Sequence, residues 1–194
     1  MKLVASPLPG VVVVEPTAFG DDRGWFMESF NEQRWQQGLA TLGHRPTRPF
    51  VQDNHSCSQA GVLRGLHYQL PPHPQGKLVR VVKGSAWDVA VDIRQGSPTF
   101  GQWFGLELNA SNRLQLFIPE GFAHGFVALE DDTHFLYKTT DHYAKACERS
   151  IRWDDARIAI NWPLPAGLTA PLLAPKDAEA PTLDAADLFE FGPY

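Results

Sequence analysis

Apolar and polar residues alternate in many short stretches of the chain, and the clearest alternation covers residues 86–93. Odd-numbered positions there are all large and apolar, whereas even-numbered positions are alanine or aspartate. Such a strand packs one face on a core and presents the other face to solvent or to a polar cavity.

Similar strand-like stretches recur from residue 50 onward, separated by turns that contain glycine, proline or aspartate. They cover residues 50–57, 62–69, 77–83, 86–93, 103–109, 114–118, 125–129 and 133–139. Short β-branched or aromatic runs at 11–15 and 25–30 predict two earlier strands. Many short, evenly spaced strands predict an all-β fold, either a sandwich or a barrel.

Only one stretch favours a helix. Residues 32–37 are mostly good helix formers, and Asn31 before them can act as the N-cap. Gly38 and Gly43 offer places where this helix can end, so we expect it to be short. The polar residues 19–23 predict a turn.

The C-terminal part of the chain differs from the rest. Residues 163–194 contain six prolines and no long periodic segment. We therefore expect a single domain over residues 1–194, in which residues 163–194 form an extended arm with short helical turns, wrapped on the body.

Composition narrows the function classes. Seventeen basic residues stand against 22 acidic ones, for a net charge of −5, which disfavours a nucleic-acid binder. No apolar run is long enough for a membrane span, and the N-terminus lacks the apolar core of a signal peptide. Two cysteines cannot form a disulfide framework and are typical of a reducing compartment. We expect a cytoplasmic protein without nucleic-acid or membrane partners.

Residues 61–69 place a cation, a glycine and a histidine on one strand. His67 is a candidate general base, because histidine titrates near neutral pH. Strict alternation puts Arg64 and His67 on opposite faces, so both can serve one site only if the strand bulges or twists between them, as Gly65 would permit. The alternative is an ordinary strand with a packed histidine.

Residues 118–126 contain Pro-x-Gly-x-x-His, ending at His124, which resembles the second metal-binding motif of the cupin superfamily. The first cupin motif normally supplies two further histidines and a glutamate, whereas this chain has only His67 followed by Tyr68 and Gln69. Two histidines make a poor metal site, since zinc and iron sites need three or four protein ligands. We therefore expect a cupin-like pocket that performs acid–base chemistry without a metal.

Tyr137 lies in the strand predicted at 133–139 and could donate a proton to a carbanion. A strand tyrosine also commonly packs in a core with its hydroxyl satisfied. Cys57 and Cys147 are expected to be small buried residues, and their separation fits no zinc-ligand spacing.

Seven segments in this order resemble the dTDP-4-dehydrorhamnose 3,5-epimerase family. They are residues 22–28, 52–56, 63–69, 76–81, 88–94, 118–126 and 135–140. The resemblance implies a cupin-type jelly roll, no metal, no organic cofactor and a homodimer. It also implies inversion of carbons 3 and 5 of dTDP-4-dehydro-6-deoxy-D-glucose, in dTDP-L-rhamnose biosynthesis.

The resemblance assigns catalytic roles to four residues. His67 matches the family's base, Tyr137 the proton donor across the sugar ring, and Lys77 the lysine that stabilises the enolate oxygen. Asp177 matches the aspartate that orients the histidine, and Arg64 adds positive charge near the site.

The resemblance also assigns a substrate-binding set, whose cations suit a diphosphate. The set is Phe19, Arg23, Glu28, Gln52, Asp53, Asn54, Arg64, Lys77, His124, Tyr143, Glu148 and Lys176. Phe19 and Tyr143 are candidates for stacking on thymine. Without the resemblance, Arg23 and Glu28 are more simply interpreted as an exposed ion pair.

Three alternatives remain open on the sequence. One is a mono-epimerase that acts at carbon 3 or carbon 5 only, with the same base and acid. Another is a non-catalytic cupin that binds a sugar nucleotide. The third is a metal-dependent cupin dioxygenase or isomerase.

Overall fold

The computed structural model describes residues 1–191, which form fifteen strands and two short α-helices. The helices are α1 (Glu32–Thr41) and α2 (Pro175–Ala178). The strands are β1 (Lys2–Ala5), β2 (Val12–Glu15), β3 (Ala18–Asp21), β4 (Gly24–Met27), β5 (Gln52–Ser58), β6 (Leu63–Gln69), β7 (Lys77–Lys83), β8 (Ser85–Asp92), β9 (Arg94–Gln95), β10 (Trp103–Asn109), β11 (Gln115–Ile118), β12 (Phe122–Ala128), β13 (Thr133–Thr139), β14 (Glu148–Ser150) and β15 (Phe189–Glu190).

Two antiparallel sheets make up the body. The six-stranded sheet has the order β1-β2-β11-β7-β13-β5, and the five-stranded sheet has the order β10-β8-β12-β6-β14. From β5 to β8 and from β10 to β14, successive strands alternate between the two sheets, as in a jelly roll. The predicted all-β, cupin-type sandwich with a few short helices is thus confirmed.

Three apolar clusters hold these layers together. Val79, Phe126 and Phe135 belong to the cluster between the sheets, which draws residues from both. Trp35 of α1 packs with strand residues of the six-stranded sheet, so the helix covers the outer face of that sheet. Since α1 covers the outer face at β2, β7 and β11, the central strands of the six-stranded sheet are largely buried on both sides, whereas β5 at its edge stays partly exposed.

The alternating strand predicted at 86–93 corresponds to β8. Its large apolar side chains, such as Val89 and Val91, join the cluster on the outer face of the five-stranded sheet. Ala86 and Ala90 face the cluster between the sheets, and Asp88 is fully buried beside them. The second face therefore lies inside the molecule.

The C-terminal arm covers the outer face of the five-stranded sheet. Leu172 accepts a backbone hydrogen bond from Leu63 at 3.0 Å. Leu183 is fully buried in the outer cluster, and β15 pairs in parallel with β9. Residues 192–194 of the predicted arm lie outside the described residues.

The structure corrects three local predictions. Residues 19–23 are not simply a turn, because β3 ends at Asp21 and pairs with β4. The helix continues past Gly38, where an added Cβ would lie 2.8 Å from the Leu3 side chain, so this glycine lets β1 approach the helix. Cys57 is exposed, although Cys147 is buried as predicted.

Among residues 1–191, no helix combines the length and apolar character that crossing a bilayer requires.

Candidate active site

A cavity of about 370 Å³ opens between the two sheets. Its lining combines residues of β5, β7 and β13 from one sheet with residues of β6, β12 and β14 from the other, and α2 completes it. Predicted site residues in the lining are Gln52, Asn54, Arg64, His67, Lys77, His124, Tyr137, Tyr143, Glu148, Lys176 and Asp177. The sandwich thus brings most of the predicted set together.

A bulge in β6 lets Arg64 and His67 reach the same cavity. His67 pairs with His124 and Arg64 with Phe126, so β6 carries one more residue than β12 between these pairs. Gly65 has φ +140°, and an added Cβ would lie 2.5 Å from the Cα of Gly125. Only glycine fits there, and the bulge predicted at this position is confirmed.

His67 and Asp177 form a hydrogen-bonded pair. His67 Nε2 lies 2.6 Å from Asp177 Oδ1, and the aspartate side chain is 2% exposed. A carboxylate can only accept this hydrogen bond, so Nε2 carries the proton and Nδ1 keeps its lone pair. Asp177 lies on α2, which starts with Pro175 at its first turn and places Lys176 at the rim of the same cavity. The pair therefore presents a basic imidazole nitrogen in a fixed tautomer.

Lys77 is a buried cation beside this pair. Its Nζ donates to the carbonyl oxygen of His67 at 3.2 Å. Burial lowers the pKa of Lys77 from 10.5 to about 8, although Asp88 and Glu148 oppose the shift. The fold thus disfavours the charged ammonium by about 3 kcal/mol, and an oxyanion nearby would recover part of this.

A second histidine–aspartate pair lies next to the first. His124 Nε2 is 2.7 Å from Asp88 Oδ1, and both side chains are almost fully buried. Burial lowers the pKa of His124, against the opposing influence of Asp88. Sequence reasoning missed Asp88 as a site residue, although the aspartates on the second face of residues 86–93 were the available signal.

Tyr137 reaches the cavity from the wall opposite His67. It lies on β13 of the six-stranded sheet, whereas His67 lies on β6 of the five-stranded sheet. Burial raises the pKa of the Tyr137 phenol, so the hydroxyl holds its proton at neutral pH. The two side chains can therefore act on opposite faces of a ring bound between them.

The rim of the cavity carries a polar network. Tyr143 donates its hydroxyl to Glu148 at 3.1 Å, and Lys176 donates to the same carboxylate at 3.2 Å. Burial would raise the pKa of Glu148, but the hydrogen bond and charge of Lys176 outweigh it and the net shift is downward. Gln52 and Asn54 alternate along the edge strand β5 and hydrogen-bond to each other at 3.0 Å.

Four predicted ligand residues do not line this cavity. Phe19 and Arg23 lie on the β3–β4 hairpin, where Arg23 pairs with Asp21 at 2.5 Å. Glu28 pairs with Arg34 near the start of α1 at 3.2 Å. Asp53 points to the opposite face of β5 from its neighbours and pairs with Lys138 at 2.9 Å. The cavity also contains residues that the sequence did not single out, namely His55, Ser56, Tyr68, Gln69, Gln75, Phe126 and Ala174.

The donor set of the cavity does not resemble a metal centre. Within residues 1–191, one group of three or more His, Cys, Asp or Glu side chains converges closely enough to hold an ion, and it lies on β5, β13 and the turn before β13, outside this cavity. His67 and His124 are each engaged by a carboxylate instead. The arrangement suits proton transfer beside a stabilised oxyanion.

Comparisons with known proteins point to one family. The family model described as dTDP-4-dehydrorhamnose 3,5-epimerase matches residues 5–185. A curated protein with that name from Shigella flexneri is 51% identical over 189 residues, covering 97% of this chain and 99% of its own length.

Solved structures give the same picture. The crystal structure of dTDP-6-deoxy-D-glucose-3,5-epimerase from Legionella pneumophila Philadelphia 1, in complex with dTDP-4-keto-L-rhamnose, matches with a TM-score of 0.90 at 46% identity, covering 99% of each chain. A 3'-monoepimerase from Streptomyces bikiniensis, in complex with dTDP-quinovose, matches with a TM-score of 0.82 at 36% identity, covering 93% of this chain and 88% of its own. Identity to the 3,5-epimerase is thus the higher of the two.

Proposed function

The chain belongs to the dTDP-4-dehydrorhamnose 3,5-epimerase family of isomerases, and from this premise we propose how its pocket works. The substrate is dTDP-4-dehydro-6-deoxy-D-glucose and the product dTDP-4-dehydro-L-rhamnose, on the route to dTDP-L-rhamnose. The observation that carries the mechanism is the placement of His67 and Tyr137 on opposite walls of one cavity.

The chemistry needs a base, an acid and a site for negative charge. The 4-keto group of the substrate acidifies the protons on carbons 3 and 5, so removal of either proton gives an enolate. Return of a proton to the opposite face of the same carbon inverts it. A base on one side of the ring and an acid on the other therefore suffice, provided that the enolate oxygen is stabilised.

His67 is the proposed base. Its Nδ1 takes the proton from carbon 3 or carbon 5 of the sugar, because Nε2 is hydrogen-bonded to Asp177 at 2.6 Å. Asp177 is buried and positions the imidazole, and its negative charge stabilises the imidazolium that forms. Asp177 is thus a positioning residue for the base.

Tyr137 is the proposed acid, and Lys77 the proposed oxyanion partner. The phenol keeps its proton until a carbanion forms on its side of the ring, because burial raises its pKa. The Lys77 ammonium faces the developing enolate oxygen, and its hydrogen bond to the His67 carbonyl fixes its position. Buried charge acts strongly because little water screens it.

The diphosphate is proposed to lie at the rim of the cavity. Arg64 and Lys176 supply positive charge there, and Gln52 and Asn54 supply amide groups. Tyr143 is 54% exposed at the rim and is available to stack on a base. These side chains would bind the part of the substrate that does not react.

We further propose a homodimer in which the β3–β4 hairpin serves the pocket of a second copy. The hairpin exposes Phe19, Trp25 and Phe26 at 67%, 55% and 71%, which is unusual for aromatic side chains so close together. It also carries Arg23, a predicted ligand that does not line the cavity of its own chain. A partner surface would cover the aromatic residues and give Arg23 a role in binding.

A cytoplasmic location is also proposed. Cys57 and Cys147 are both free thiols, and Cys57 is exposed. An exposed free thiol is typical of proteins in a reducing compartment.

Turnover in deuterated water tests the proposed reaction. Incubation of the protein with substrate should give product that carries deuterium at both carbon 3 and carbon 5. The matched control is His67→Ala, which should incorporate none. Deuterium at a single carbon would make the protein a mono-epimerase, and tight dTDP binding without any exchange would make it a non-catalytic binder.

A further inference from the structure

A second group of reactive side chains lies outside the pocket, at the edge of the six-stranded sheet. Cys57 on β5 and His134 on β13 are directly paired residues of these two strands. Phe135 belongs to the core between the sheets, so its neighbour His134 faces the outer side of the sheet, together with Cys57. Asp132, in the turn before β13, completes the group.

The potential ligand atoms of these three residues converge on one point. Asp132 Oδ1 lies 3.1 Å from Cys57 Sγ and 3.1 Å from His134 Nε2. All three atoms lie within 4.8 Å of one another. Ligands of a tetrahedral zinc ion are about 3.3 to 3.7 Å apart at the usual bond lengths, so small side-chain rotations would seat the ion.

The neighbours of the group already orient two of the three ligands. His134 turns Nε2 towards Asp132 because its other nitrogen, Nδ1, lies 2.9 Å from His55 Nε2. Metal-binding histidines commonly have such a partner on the second ring nitrogen. Lys83 engages Asp132 through the other carboxylate oxygen, Oδ2, which leaves Oδ1 directed at the cysteine and the histidine.

We propose that Cys57, Asp132 and His134 form a zinc-binding site with three protein ligands and one water molecule. The mixed thiolate, imidazole and carboxylate set suits Zn²⁺ better than Mg²⁺ or Ca²⁺, which prefer oxygen ligands alone. The thiol of Cys57 donates to Asp132 when no ion is bound. Binding releases this proton to solvent and leaves the thiolate, the carboxylate Oδ1 and the neutral imidazole Nε2 on the ion.

The site is separate from the catalytic machinery, yet it touches the pocket wall. None of its three ligands lines the cavity, whereas His55, the hydrogen-bond partner of His134, does. In the free protein Nε2 of His134 donates to Asp132 and Nδ1 accepts from His55. Ion binding at Nε2 requires both rings to change tautomer, so that Nδ1–H of His134 donates to Nε2 of His55 and no net proton leaves this pair. The reaction proposed for the pocket does not depend on this ion, so the two proposals can fail independently.

Titration of the reduced, chelator-treated full-length protein with Co²⁺ and Zn²⁺ tests the site. Co²⁺ should produce a thiolate-to-metal charge-transfer absorption at one ion per chain, and Zn²⁺ should displace it. Calorimetry should show that Cys57→Ser, His134→Gln and Asp132→Asn each weaken Zn²⁺ binding by at least about 10-fold, since loss of a direct ligand costs no less than loss of a partner that orients one. Cys147→Ala and His44→Gln serve as matched controls and should bind like the parent protein.

Several results would overturn the site. If the parent protein shows no charge-transfer band with Co²⁺, the proposal is wrong, and no variant is needed to decide it. Equal Zn²⁺ affinity in the parent and in Cys57→Ser would also contradict it, provided that far-ultraviolet circular dichroism shows the variant to be folded. If dTDP displaces the ion, the ion binds in the pocket rather than at Cys57, Asp132 and His134, and this result would also contradict the proposal.

Discussion

The pocket and the β3–β4 hairpin carry members of the same predicted ligand set in opposite surroundings. Around the pocket, Lys77, His124 and Asp177 are each less than 10% exposed, and every one has a hydrogen-bonded partner. On the hairpin, the Arg23 side chain is 89% exposed, and Phe19 is 67% exposed. Lys77 and His124 lie on strands of the two large sheets and Asp177 lies on α2, whereas β3 and β4 pair only with each other.

This difference separates chemistry from binding. Groups that transfer protons or stabilise an enolate act best where water is excluded and their positions are fixed, which the buried strands provide. A ribbon with exposed aromatic residues is suited to contact another surface. We therefore expect substitutions in the pocket to lower kcat and substitutions on the hairpin to raise KM.

The largest expected effect is that of His67→Ala on kcat. Loss of the proposed base should lower kcat by at least about 1,000-fold, because no other group in the pocket replaces it. Affinity for dTDP, measured by calorimetry, should stay within about threefold, since the rim cations remain. The kcat of Asp177→Asn should lie between the values for His67→Ala and the parent. A His67→Ala protein with a tenth of the parent kcat would contradict the role.

Tyr137→Phe should have the next largest effect. Without the phenolic proton, formation of the doubly inverted product should fall by about 100-fold, while exchange of the carbon 5 proton with deuterated water persists. Tyr143→Phe is the matched control, because it removes a hydroxyl that bonds only to Glu148 at the rim. It should change kcat by less than about threefold. Equal product formation by Tyr137→Phe and the parent would remove Tyr137 from the mechanism.

Much of the body could be predicted from the sequence because local pattern determines it. The strands expected at 77–83, 103–109 and 133–139 have those bounds in the structure. An irregularity at Gly65 was also predictable, since Arg64 and His67 could share a site only if β6 bulged or twisted between them, and the structure shows a bulge. The burial of Lys77 and Tyr137 in one cavity followed from the resemblance rather than from periodicity.

Contacts between distant segments could not be predicted from pattern alone. The role of Asp88 depends on His124, which is 36 residues away and is brought beside it by the pairing of β8 with β12. The strand β14 has no alternation of its own and exists because it pairs with β6 at the sheet edge. Cys57 and His134 have no ligand spacing in sequence, since 77 positions separate two residues that face each other across β5 and β13.

The hairpin is tested by Arg23→Ala, which should raise KM about tenfold with little change in kcat. A tagged heterodimer that joins one Arg23→Ala chain to one His67→Ala chain distinguishes a hairpin that completes the partner's pocket from one that serves its own chain. If the hairpin completes the pocket of the partner, one site carries both changes and the other neither, so kcat/KM should be about half that of the parent. If it serves its own chain, both sites are impaired and the value should be about one-twentieth. The second result would refute the shared site.

The smallest expected effect is a pH dependence that belongs to the pocket alone. The pKa of Lys77 is lowered from 10.5 to about 8 by burial, so the lysine is mostly charged at pH 7 and half neutral at pH 8. If its charge stabilises the enolate, kcat/KM should fall about twofold between pH 7 and pH 8 and more steeply above. Lys77→Arg should be slower but lack this alkaline decline, because a guanidinium stays charged. Arg23→Ala should keep the decline unchanged, since the exposed hairpin carries no group that loses its charge in this range. If kcat/KM of Lys77→Arg still declines above pH 7, another group causes the decline, and the proposed role of Lys77 is contradicted.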